Sequence, residues 1–445
     1  MTGGNVAWSH KLVKLKRREF LKNSFLGIIG WGCTSQPGFT QNHKADPNPI
    51  FKIKEYRQLG RTGFQVSDIA AGAIQDEGVL RAALDAGVNY IDTAEEYPGH
   101  HRIVAKAIKG LDRKSIFITT KLAIKEENES KASFLRRAQR CLEELETEYV
   151  DCLMMHMPER VETIKTPGFH QALQELKAAG RVRFVGISNH GSFWFKDPAQ
   201  SMEKVLLAAA EDGRFDVFLL AYNFLKMDQG EKVLRIAHEK NIGTALMKTT
   251  PLAIYYNLKK RVEELRKQGK KVHPLFEEGL KRYQTKLEKA ESFIKKYNLQ
   301  NPQEIKDAAI KFCLSNPHVN TVCCLGRTFD EMEQFIALSG QKLSSPEKSR
   351  LQAYQEGCGE LYCRHACGFC EPSCPQEVPI NTIMRYNYYF SVQAREKEAM
   401  ILYQQIPGNK VEACQTCPGY CEKACPYGVP IQGMLLVAHH QLSFP

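Results

Sequence analysis

The sequence predicts an α/β protein, a (β/α)8 barrel followed by a small, mainly helical, cysteine-rich domain. Three observations carry this reading. Short apolar, β-branched runs alternate with helical patterns between residues 53 and 340, as parallel βαβ units require. Eight such units can be counted, the number that closes a barrel. Beyond residue 357, eight of the chain's 15 cysteines fall into two short arrays.

Taken in order, Ser67–Ala73 reads as the first strand, and Asp76–Gly87 as its helix with glycine as the stop. Val88–Ile91, Ser115–Lys121 and Tyr149–His156 are the next three strands, separated by helical runs at Arg102–Leu111 and Lys131–Glu146. Phe169–Gly180 is a helix, Arg181–Ser188 the fifth strand and Asp216–Tyr222 the sixth. Asp228–Asn241 is helical, and Ile242–Lys248 is the seventh strand. Leu258–Tyr297 is an insertion, long, charged and helical in pattern. Pro302 starts a helix to Ser315, Val319–Leu325 is the eighth strand, and Asp330–Ser339 closes the barrel.

Right-handed crossovers put every strand's carboxyl end on one face, where the βα loops surround a pocket. The run V-N-Y-I-D-T-A-E-E-Y delivers Asp92 and Tyr97 to that face, and the following two strands end in Lys121 and His156. These four form a chemical set. A phenol with a pKa near ~10 is a poor donor at neutral pH, and an adjacent ammonium favours its ionised form. Lys121 is therefore expected to lower the pKa of Tyr97, with Asp92 holding the lysine and His156 orienting a carbonyl oxygen. Tyr97 can then protonate that oxygen as hydride reaches the carbon. A lone Lys or His at a strand end is more often structural; four ending successive elements argue for a site.

The ordered motifs Y-R-Q-L-G-R-T-G at Tyr56–Gly63, N-Y-I-D-T-A-E-E-Y at Asn89–Tyr97, T-K at Thr120–Lys121, the strand-end His156 and V-G-I-S-N at Val185–Asn189 closely resemble the aldo-keto reductase superfamily. The resemblance runs from about Phe51 to Gly340. It implies a TIM barrel, a catalytic tetrad of Asp92, Tyr97, Lys121 and His156, and a nicotinamide carboxamide held by Ser188 and Asn189. Two family features are missing. Leu219 stands where a carboxamide-facing glutamine is usual, and Phe329 and Phe335 occupy a helix that usually offers a basic residue and an asparagine. Arg327 and Thr328 remain as candidates for the phosphate end of NADP(H) or NAD(H).

A net charge of +11 invites consideration of nucleic acid or anionic lipid. Much of it is local, since Lys259–Lys296 carries 13 Lys/Arg against 6 Glu. With helical spacing and no nucleic-acid motif, that run reads as a solvated helical face, and no nucleic-acid partner is expected. The segment K-R-R-E-F-L-K at Lys16–Lys22, ahead of the short apolar run Phe25–Trp31, resembles a twin-arginine export signal. This implies a periplasmic or otherwise extracytoplasmic location. Cys33 resembles a lipoprotein cleavage site weakly, because Gly30 takes the usual aliphatic position.

The arrays are Cys363-x3-Cys367-x2-Cys370-x3-Cys374-Pro375 and Cys414-x2-Cys417-x3-Cys421-x3-Cys425-Pro426. Their closing C-x3-C-P resembles bacterial ferredoxins, although the other gaps depart from the commonest spacing. By that resemblance the fourth cysteine of each array crosses to the other cluster. Cys363, Cys367, Cys370 and Cys425 would bind one 4Fe–4S cluster, and Cys414, Cys417, Cys421 and Cys374 the second. Zinc and disulfides are the alternatives. Cys358 reads as a bystander, the five remaining cysteines as core residues, and the Tyr-rich run from Ile380 to Ile406 as packing.

The chain is thus divided into a signal (1–34), a linker (35–52), a barrel (53–340), a connecting helix (341–357) and a ferredoxin-type domain (358–445). The expected activity is hydride transfer between a nicotinamide and a small carbonyl or alcohol, with single electrons passed to a redox partner protein. The rival reading is a nucleotide-holding redox sensor or partner-binding subunit without turnover.

Overall fold

The computed structural model describes residues 51–443 apart from 127, 192–199, 252–261, 265–266, 270–272, 394 and 409–410. The twin-arginine segment, the linker up to residue 50 and Cys33 lie outside the described residues. Residues 49–445 form one compact unit. Among the described residues no helix is long and apolar enough to cross a membrane.

The chain enters as an antiparallel pair, β1 (Tyr56–Gln58) and β2 (Gln65–Ser67). Its turn is forced to be tight: Gly60 has φ +48°, and a Cβ there would lie 2.2 Å from the Gly243 nitrogen. Eight parallel strands follow, β3 (Ile69–Ala71), β4 (Tyr90–Asp92), β5 (Phe117–Ala123), β6 (Val150–His156), β7 (Val182–Asn189), β8 (Val217–Ala221), β9 (Gly243–Met247) and β10 (Thr321–Cys324). They close in the order β10-β3-β4-β5-β6-β7-β8-β9. Alternate side chains fill the interior, where Leu59 and Val66 of the hairpin meet Tyr90, Phe117, Met154, Val217 and Leu219. The other faces pack on the surrounding helices in a second, larger core. The first barrel strand is shorter than predicted, and Asp68 just ahead of it accepts from the Val322 amide (2.9 Å) through its carbonyl and from Ser339 Oγ (2.6 Å) and the Gly340 amide (2.7 Å) through its carboxylate. This clasp joins the start of the barrel to its end.

The insertion is not merely a solvated face. Its helices α7 (Pro274–Arg282) and α8 (Gln284–Lys296) expose lysines but bury Phe276, Ala290 and Ile294, and Tyr283 between them is buried too. These meet α11 (Ser345–Cys358), α12 (Ile380–Val392) and α15 (Ile431–Leu442) in a third core. The tail therefore packs on the insertion, and no division into separate compact units falls at residue 340.

The tail also crosses the carboxyl ends of the strands. The Met202 amide donates to the Ala366 carbonyl (2.8 Å), Asn223 Nδ2 to the Tyr362 hydroxyl (3.1 Å), and Arg364 Nε to the Leu225 carbonyl (3.0 Å). Arg385 of α12 is buried with Nη1 3.4 Å from Met157 Sδ. It runs so close over Gly191 that a Cβ there would lie 2.1 Å from its Nη1. The Tyr-rich helix is thus packing, as read, and what it packs on is the barrel mouth. Asp68→Ala leaves two donors in the clasp without an acceptor. Chemical denaturation is expected to show a loss of about 2 kcal/mol.

Candidate active site

Parallel register decides which side chains share the mouth. Asp92 is level with Thr119, Lys121 with Met154, and His156 with Ala123 and Ser188. Lys121, without exposed surface, reaches Asp92 Oδ1 at 2.6 Å and donates to the Thr93 carbonyl at 2.8 Å. Its Nζ lies 4.9 Å from the centroid of the Tyr97 ring. The ring is held edge-on by His156 (6.1 Å) and His100 (6.2 Å). His100 is itself fixed by Thr93 Oγ1 and the Ile74 carbonyl, and burial takes its pKa down to about 4. The four residues read from separate elements do come together.

Their electrostatics differ from expectation. Burial pushes the Tyr97 phenol well above its ordinary range, the Asp92 carboxylate pushes the same way, and the leading opposing cation is Arg395. Burial is the largest cause, and the Asp92 carboxylate, 2.6 Å from the Lys121 ammonium, adds to it. At neutral pH the phenol keeps its proton, as a proton donor must.

Glu96 was missed in the sequence. Its Oε2 lies 2.7 Å from His156 Nδ1, which leaves Nε2 as the nitrogen that can meet a substrate oxygen. Burial works to raise the Glu96 carboxyl, but the His156 ring's charge and hydrogen bond outweigh it and hold the group at about 2. The adjacent Glu95 turns the other way, to Arg137, which also contacts Glu129. Two neighbouring glutamates gave no sign of which faced the mouth; a turn after β4 had to be built first.

Ser188 and Asn189 end β7, both buried. Asn189 Nδ2 donates to the Pro158 carbonyl at 3.0 Å, while Ser188 Oγ and Asn189 Oδ1 are buried without a protein partner. A buried hydroxyl and amide oxygen with nothing to bind fit the edge of a carboxamide. A cleft of about 380 Å³ past the ends of β9 and β10 is lined by Lys248, Lys306, Cys323, Arg327, Glu331 and Tyr388, among others. Arg327 stands at this cleft, engaged by Glu331 at 2.9 Å, and Thr328 caps α10 (Phe329–Ala337). Lys248 and Lys306, which the sequence reading did not single out, also line the cleft; burial, with Arg395 and Arg385 nearby, pushes the Lys248 amine well below its ordinary range. Lys248 has φ +57°, a strained conformation for a non-glycine residue, and its Nζ lies 5.0 Å from the Tyr388 ring centroid and 4.4 Å from that of Tyr389.

The eight array cysteines gather into two sets. Besides burial, the charges that raise the Cys363 thiol are Cys367, Cys370 and Cys425, and those acting first on Cys414 are Cys374 and Cys417. Cys374, Cys414, Cys417 and Cys421 also line one small cavity. The first set lies against Lys226, a lysine with no exposed surface whose pKa burial lowers to about 8. Every cysteine among the described residues is a free thiol, and no described group of three side chains is arranged around a single metal ion. Cys141, Cys152, Cys313, Cys324 and Cys358 are core residues and Cys323 packs on the barrel interior; Cys323 and Cys324 both also border the cleft.

A closed parallel barrel with a tyrosine, a buried Lys–Asp pair and a histidine at its carboxyl face defines an oxidoreductase-type site. Residues 60–356 match the Aldo/keto reductase family, and the chain belongs to it. Methylglyoxal reductase DkgB of Salmonella typhi is 35% identical over 134 residues, 30% of this chain and 47% of that protein. The chain thus spans about half the length of that relative. Aldo-keto reductase YhdN of Bacillus subtilis is 23% identical over 327 residues, 68% of this chain and 94% of the relative. L-galactose dehydrogenase of Arabidopsis thaliana is 28% identical over 220 residues, 45% of this chain and 66% of the relative. Among solved structures, aldo-keto reductase AKR11C1 from Bacillus halodurans aligns with TM-score 0.48 and 21% identity, covering 67% of this chain and 96% of that one.

Glu96→Gln tests the histidine's support. A depressed carboxyl stabilises the fold fully above its unfolded pKa near ~4.3 and loses that contribution as pH falls toward the folded value. Urea denaturation should therefore show wild type ahead by about 2 kcal/mol at pH 6. The gap should close as pH approaches the folded value of about 2.

Proposed function

We propose that this chain is an aldo-keto reductase that interconverts a small carbonyl compound and its alcohol. The observation that carries this is Tyr97 bracketed by Lys121, His100 and His156 beside the orphaned Ser188 and Asn189 oxygens. NAD(H) or NADP(H), held by those two residues with Arg327, Thr328, Lys248 and Lys306 toward its phosphates, would supply or take the hydride. The chain's own part is proton chemistry. Tyr97 donates a proton to the carbonyl oxygen, His156 orients that oxygen, and Asp92 fixes the Lys121 ammonium beneath the ring. With methylglyoxal and NADPH or NADH as probes, Tyr97→Phe is expected to lose about 10²–10⁴-fold in turnover. Undiminished turnover would remove the assignment.

The cysteine tail adds single-electron chemistry to this reading. Two 4Fe–4S clusters, one on Cys363, Cys367, Cys370 and Cys425 and the other on Cys414, Cys417, Cys421 and Cys374, suit the two thiol sets and would pass electrons to a partner protein. Anaerobic reconstitution should give about eight irons per chain and a broad visible band, and Cys363→Ala should halve the iron. A preparation that binds zinc alone would overturn it. The segment Lys16–Lys22 supports export of the folded protein, and replacing Arg17 and Arg18 by lysine should retain it inside the cell. Lipid attachment at Cys33 would show as a mass increase on the exported protein.

One observation favours the rival, a nucleotide-holding subunit without turnover: Leu219 replaces an amide and Glu331 already engages Arg327. Retention of dinucleotide with no reduction of any aldehyde would select it.

A further inference from the structure

The segment beyond the family-matched residues contributes to the mouth as well as covering it. Arg395 follows α12 and opens α13 (Glu396–Gln404). Its backbone is fixed by the Arg395 amide donating to the Tyr389 carbonyl (3.2 Å) and by its own carbonyl accepting from the Ala399 amide (2.9 Å). Its guanidinium lies 4.6 Å from the Tyr389 ring centroid and 5.9 Å from that of Tyr97. Nε donates to Glu398 Oε2 at 2.7 Å and Nη1 to Gln393 Oε1 at 3.2 Å, so the side chain is held in one orientation.

We propose that Arg395, itself paired with Glu398, is a positioning residue for the Tyr97 hydroxyl, adding a cation from the tail to the Lys121–Asp92 pair on the barrel. The inference rests on Tyr97 being the proton donor and names what tunes it. The groups facing the phenol are Asp92 from β4, Lys121 from β5, His156 from β6, Glu96 from its own loop, His100 from the helix that follows, and from the tail Tyr389 and Arg395, the latter with Glu398 paired to it. Asp92, Tyr389 and Glu96 disfavour the phenolate, and Arg395 is the leading cation set against them. A delocalised guanidinium over the ring keeps its charge at every working pH, so it acts as a fixed bias. The reductase's proton step would therefore depend on a residue outside the barrel.

The experiment is an ultraviolet difference titration of the full-length chain, in which subtracting Tyr97→Phe isolates the tyrosinate signal of Tyr97. Arg395→Gln should displace that titration upward by about one unit, and Arg395→Lys should restore most of it. With methylglyoxal and NADPH, the same Gln variant should lose about tenfold in kcat with KM little changed. An unmoved titration in Arg395→Gln would overturn the inference, as would a Lys variant displaced as far as Gln, which would mean packing and not charge. If instead Tyr97→Phe turns over normally, it is the underlying reductase reading that fails.

Discussion

A lysine with no exposed surface and an aspartate 2.6 Å away hold the barrel mouth together. Burying two charges is costly, and the cost is offset only when geometry is good and the remaining donors are satisfied. Here the register of β4 against β5 sets the two side chains on one face, and the Thr93 carbonyl takes a further ammonium proton. The loop that leaves β4 is thereby anchored, and Tyr97 and Glu96 inherit their places from it.

Much of this was legible in the sequence. Alternating apolar runs gave all eight strands, because a parallel strand buried on both faces leaves a continuous hydrophobic signature. Asp92, Lys121 and His156 could be read because each lies at the carboxyl end of its strand, with Tyr97 five residues beyond Asp92 in the loop, and barrel topology brings such ends together. What could not be read depended on angles within loops. Glu96 and Glu95 are chemically identical neighbours, and only the turn sends one to His156 and the other to Arg137. Lys248 was assigned to a strand; its left-handed backbone, which sets the amine near two tyrosine rings, has no counterpart in a local pattern. The net direction at Tyr97 is upward and not the expected downward one, since a sequence lists charges without saying how deeply a phenol is buried.

The insertion shows how composition can conceal a role. Its surplus of lysines suggested a face turned to water, and part of it is. Yet Phe276, Tyr283, Ala290 and Ile294 form the wall against which the tail's helices rest. Lys286 and Lys289 are not idle either, since both approach Glu360 just ahead of the first cysteine array. The addition to the barrel and the addition after it are two parts of one structure.

Helix α12 is bonded to the mouth through Arg385 and Tyr388, and the loop before it reaches the barrel backbone at Ala366. A ribosome must therefore finish almost the whole chain before the catalytic face acquires its covering. Until then, the apolar wall around Phe276 and Tyr283 is a surface for chaperones to hold. Closure over the active site is thus a late event in the protein's life.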